Sequence, residues 1–212
     1  MPWLILALLG GTAFLYGAAT ENALLCLFTK PLPVIALLLW LRGAPAGAYR
    51  RWIAVGLLLS LLGDLLLAWP GDLFVFGLGA FLVAHLAYLT AYLGDTRRLA
   101  MPFLLLAALT GTAIFATLAS HGLGNLALPV AFYSLTISAM LWRALARLGA
   151  PFVGRDSAWL AIGGAALFVL SDTLIGVNRF VHPFAAAPYA IILTYWLGQW
   201  GIAASVFGRR TD

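Results

Sequence analysis

Charge is what this 212-residue chain has least of. Only 9% of its residues are charged, where soluble domains carry about 25%. With 64% of the chain hydrophobic, no soluble core of this size could cover the apolar surface, so lipid must be the solvent for most of it. Cysteine is reduced to Cys26, inside an apolar run, so no internal disulfide can form. Of three histidines only His85 falls within an apolar run, since His121 and His182 occupy loop positions. A multi-histidine zinc site is therefore short of ligands. No polar linker separates the chain into parts, and no cluster of cations interleaved with stacking aromatics offers a nucleic-acid surface.

What remains is apolar runs broken by charge, Pro and Gly. They predict eight spans near residues 3–18, 23–41, 52–69, 73–93, 99–119, 123–142, 158–178 and 184–207. The expected fold is all-α: a single polytopic membrane helical bundle over residues 1–212. The first run has no Lys or Arg before it, so it reads as a short span rather than a signal peptide. With eight spans, one side receives Arg42, Arg50, Arg51, Arg97, Arg98, Arg143, Arg147, Arg155, Arg209 and Arg210, and the other only Arg179. The positive-inside rule then puts both termini in the cytoplasm, in a membrane expected to be a bacterial inner membrane. Membrane lipids are the expected surroundings, and anionic head groups suit the arginine-rich face.

Within the predicted hydrocarbon stand four ionisable groups: Lys30, Asp64, His85 and Asp172. A charge at the bilayer centre costs at least ~2.5 to 3.5 kcal/mol on insertion scales, so such residues face the bundle interior, pair and serve function. A Lys–Asp pair acting as interhelical glue would need only two of the four. At ~1.5 Å per residue, Asp64, Asp172 and Lys30 lie ~7 to 10 Å inside the outer ends of their spans, while Tyr133, Tyr195, His85 and Gln199 lie ~15 to 22 Å in. Gly56, Ser60, Gly63 and Asp64 share one stripe of the third span, and Gly164, Phe168, Ser171 and Asp172 one stripe of the seventh. Small residues beside each aspartate let a neighbouring helix approach closely. Phe81, His85, Tyr88 and Tyr92 recur by four or three in the fourth span; Phe81 and Tyr92 read as packing. Pro31 and Pro33 should free backbone carbonyls just after Lys30.

The chain resembles the lysoplasmalogenase, or YhhN-like, membrane proteins over nearly its whole length. The resemblance is carried by Thr29-Lys30-Pro31, Gly63-Asp64, the run from Phe76-Gly77 through Phe81 to His85 and Tyr88, and Pro129 with Tyr133. Later pieces are Gly164-Ala165, Phe168, Ser171-Asp172, Asn178, Phe180 and Tyr195 with Gln199. It implies a hydrolase that cleaves the vinyl ether bond of a lysophospholipid substrate to a fatty aldehyde and a glycerophospho-base. It also implies Asp64 and Asp172 as the catalytic pair, with no cofactor.

Two buried carboxyls suit that chemistry. A vinyl ether is cleaved by protonation of its β-carbon, leaving an oxocarbenium ion that water captures. One carboxyl has to start protonated, and the other to be the anion that steadies the cation. Lys30 either holds one carboxylate or binds the substrate phosphate. His85, Tyr88, Tyr133, Asn178, Tyr195 and Gln199 complete the candidate site as binding or tuning residues. Two other readings use the same groups: a metal-dependent hydrolase with Asp64, Asp172 and His85 as ligands, and a proton-coupled transporter.

Overall fold

The computed structural model describes residues 2–208; Arg209 and Arg210, counted above as orientation charges, lie outside the described residues. Among the described residues there are nine α-helices and no strand. They are α1 (Pro2–Ala19), α2 (Ala23–Thr29), α3 (Leu32–Leu41), α4 (Ala48–Ala68), α5 (Phe74–Asp95), α6 (Met101–Ala119), α7 (Ala127–Ala146), α8 (Arg155–Gly176) and α9 (Ala187–Ala204). Seven segments are long and apolar enough to cross a membrane, with α2 and α3 together forming one, Ala23–Leu41. α9 is as long as α1 but more polar, and it packs along α8. The chain is an all-helical, multi-pass membrane protein. Its outward surface is apolar, with Leu105, Leu109, Leu128 and Leu135 each more than half exposed.

Trp3 stacks on Trp40 at 4.7 Å and Trp40 on Phe207 at 4.4 Å. The start of α1, the end of α3 and the residues after α9 therefore share one end of the bundle, as an even number of crossings requires.

The second crossing is broken where the prolines fall. Pro31 and Pro33 have no N–H to give, so the carbonyls of Leu27 and Thr29 lose their helical partners, and the chain turns at Lys30 between α2 and α3. Glycine sets the other contacts. A Cβ at Gly56 would stand 2.1 Å from the Tyr88 ring, and one at Gly63 2.6 Å from Phe81, so α4 makes room for two aromatic rings of α5. Between α8 and α9 the main chains themselves touch: a Cβ on Gly164 would meet Ile202 N at 2.6 Å, and one on Gly201 would meet Gly164 Cα at 2.9 Å.

At the arginine-rich end two cations read from sequence as loop charges turn out to be buried. Arg147, in the turn closing α7, donates from Nε to Asp95 Oδ2 at 2.9 Å, from Nη1 to Ser157 O at 3.0 Å and from Nη2 to Ser157 Oγ at 2.7 Å. Ser157 Oγ donates to Ser205 O at 2.6 Å, and the Ser205 and Tyr49 hydroxyls bond at 2.8 Å. The guanidinium lies over the Tyr49 ring at 4.7 Å. Arg143 donates to Arg98 O at 2.6 Å and to Thr96 O. A guanidinium offers five donors in a fixed fork, which is how Arg147 can join Asp95 of α5 and Ser157 of α8 to the end of α7.

Candidate active site

The two aspartates reach the interior from α4 and α8, and each receives a phenol from a neighbouring helix. Asp64 is buried, with Lys30 Nζ 3.2 Å from Oδ1 and the Tyr195 hydroxyl donating to Oδ2 at 2.6 Å. The broken second crossing is what allows this pair, because it stops the helix at the residue carrying the ammonium. Asp172 takes a hydrogen bond on Oδ2 from the Tyr133 hydroxyl at 2.5 Å. His85 Nε2 lies 3.7 Å from the same oxygen, too far for a hydrogen bond.

His85 is fully buried, 4.6 Å from the Phe168 ring and edge-on to Tyr133 at 5.4 Å. Neither of its ring nitrogens makes a hydrogen bond of ordinary geometry, nor does Gln199 Nε2. Tyr88 donates to Gln199 Oε1 at 2.7 Å and lies 3.4 Å from Ser60 Oγ. Phe81, Phe168 and Tyr195 form a box of edge-to-face rings, with centroids 5.4 to 5.9 Å apart, between the two aspartate groups.

Counting residues along helices places Tyr133 and Tyr195 one or more turns below the aspartates, yet both bond to them. A tyrosine side chain spans about one helical turn, which closes the gap. Asn178 stands apart: it lies in the π-helical turn Val177–Val181 that follows α8, and its Oδ1 accepts from Phe184 N at 3.2 Å. Among the described residues no group of three His, Cys, Asp or Glu side chains is placed to hold a metal ion.

Beside Asp172 an apolar crevice runs between α5, α6, α7 and α8, walled by Leu78, Phe81, Ile114, Ile137 and Val169. Its polar lining is Tyr133, Ser134, Asp172 and Thr173, so Asp172 is the one carboxyl facing it; Phe74 and Phe180 stand at its outer end. The space open to the centre of a water molecule is about 50 Å³, room for a few waters, so a lipid chain enters only by parting the walls. Ser134 and Thr173 were not singled out from the sequence, although each directly follows a candidate residue. Phe81, set aside as packing, both packs and lines the crevice.

The profile of the YhhN family matches residues 25–206. The chain belongs to the YhhN family. The lysoplasmalogenase TMEM86B of Sus scrofa is 38% identical over 178 residues, covering 84% of this chain and 73% of its own length. The protein of the same name from Homo sapiens is 36% identical over 172 residues, covering 80% and 70%. A lysoplasmalogenase of Mycobacterium bovis is 38% identical over 179 residues, covering 78% and 64%. No solved structure matches the chain.

Proposed function

We propose that this YhhN family chain is a membrane hydrolase that cleaves the vinyl ether bond of lysoplasmalogens, giving a fatty aldehyde and a glycerophospho-base. The substrate class comes from its lysoplasmalogenase relatives. The observation that carries the mechanism is the unequal setting of the two aspartates. Asp172 faces the apolar crevice and has no cation bonded to it, whereas Asp64 is paired with Lys30 away from the crevice.

In this reading the alkenyl chain occupies the crevice and Asp172 gives its proton to the β-carbon, with Tyr133 holding the carboxyl in place. The C–O carbon becomes an oxocarbenium ion. Asp64, bonded to Lys30 and Tyr195, is the second carboxyl, its charge acting on the cation across the intervening rings. Water adds to the cation and returns one proton to Asp172; the hemiacetal then splits into aldehyde and alcohol. One water is consumed and no redox step occurs.

Aldehyde release by purified protein in detergent tests the reading, over a panel of vinyl ether, saturated ether and ester lysolipids. Only the vinyl ether should react, and it should do so without any gradient. Turnover of the saturated ether, or no aldehyde at all, would overturn it. The arginine distribution further supports cytoplasmic termini, with the crevice opening toward the opposite face. A thiol at His121→Cys should then react with an impermeant reagent on intact cells, and one at Arg155→Cys should not.

A further inference from the structure

Arg179 is the lone arginine that the loop count places at the crevice end of the bundle, and the aspartate chemistry does not use it. It sits in the π-helical turn Val177–Val181, a local geometry frequent at functional sites. Its guanidinium lies 3.9 Å from the centroid of Phe74 and 6.0 Å from that of Phe180, the two rings at the outer end of the crevice. Those rings meet edge to face at 5.9 Å. The same guanidinium donates to both oxygens of Asp72, at 3.0 and 3.2 Å. Asp72 is 73% exposed at its side chain and Arg179 37%.

An exposed pair of this kind is weakly held. Both contacts come from Nη2 alone, whereas a phosphate can meet the guanidinium fork through two nitrogens and with more charge. We propose that Arg179 is the head-group determinant of this site: it exchanges Asp72 for the phosphate of the lysolipid whose chain fills the crevice. The proposal rests on the hydrolase reading above.

Distances agree. Arg179 is seven residues beyond Asp172, two turns, or roughly 10 Å along the axis. From the β-carbon of the vinyl ether to the phosphorus there are seven bonds of about 1.5 Å or a little less, a zigzag reach of ~9 Å. A lysoplasmalogen that presents its β-carbon to Asp172 thus carries its phosphate to the level of Arg179. Lys30 is a poorer candidate, being bonded to Asp64 and absent from the crevice lining.

The test compares kcat/KM for a phosphate-bearing lysoplasmalogen with that for the phosphate-free 1-alkenylglycerol. Wild type should prefer the first. Arg179→Gln should shrink that preference about 10- to 100-fold, the size of a lost charged hydrogen-bond pair, and Arg179→Lys should restore part of it. Asp72→Asn, which removes the competitor, should widen the preference by about 2- to 5-fold, mostly through KM. If Arg179→Gln slows both substrates alike, or neither, or if Asp72→Asn leaves the ratio unchanged or lowers it, the assignment is wrong. Wild type inactive on both substrates would instead sink the hydrolase reading.

Discussion

The chain buries two sets of polar groups, and they are built differently. At the arginine-rich end all three nitrogens of Arg147 donate, and the network closes through Asp95, Ser157, Ser205 and Tyr49. Around the aspartates, His85 and Gln199 keep nitrogens that make no ordinary hydrogen bond, and Asp172 faces a crevice. The first arrangement holds helices together, where an unmet group costs stability. Unmet groups occur in both, Arg143 Nε and the Tyr92 hydroxyl in the first and His85 and Gln199 in the second, so what sets the second apart is the crevice and a pair of carboxyls of which one is bonded to a cation and the other is not.

The comparison breaks most sharply at Asp172. Asp172→Asn keeps size and hydrogen-bonding capacity but has no acidic proton to give, so aldehyde release should fall about 10²- to 10⁴-fold, with the melting temperature in detergent little changed. Near-normal turnover would remove Asp172 from the mechanism. Asp64→Asn should cost comparable activity by losing the anion.

Arg147→Met should do the reverse. It takes the guanidinium away from Asp95 and from both Ser157 acceptors and should lower stability by about 3 to 5 kcal/mol, while the specific activity of protein that remains folded is kept. Adding Asp95→Leu should recover much of the loss; if it does not, the pair is not the reason Arg147 is buried.

A smaller effect is expected between the two regions. Tyr88→Phe removes the donor to Gln199 Oε1 and should destabilise by roughly 1 to 3 kcal/mol, measured as a shift in thermal unfolding. The smallest is none: exhaustive chelation with EDTA should leave turnover unchanged. Loss restored by a divalent ion would favour the metal-dependent alternative.

Much of this was legible in the sequence because lipid punishes charge. Apolar runs marked the helices, and the few ionisable residues inside them marked Lys30, Asp64, His85 and Asp172. Sequence did not assign partners. Depth along a helix put Lys30 level with both aspartates, and only the turn at Pro31 and the packing of α2 against α4 decide that it meets Asp64. Arg143 and Arg147 were misjudged for a related reason: a cation beside a predicted loop reads as surface, and the Arg98 and Thr96 carbonyls that meet Arg143 and the Asp95 carboxylate that meets Arg147 lie 45 to 52 residues back along the chain. The crevice escaped notice because its walls are ordinary apolar residues.

The seam between α8 and α9 has a mechanical consequence. Main chains in contact at Gly164 and Gly201 leave no side-chain layer to shear, so the two helices behave as one stiff plank carrying Asp172 on one edge and Tyr195 and Gln199 on the other. α6 is the opposite case, with only Ala107, Gly111 and Leu118 buried among its 19 residues. In the proposed reaction, a chain that enters by displacing α6 would leave the stiff pair, and Asp172 with it, in place.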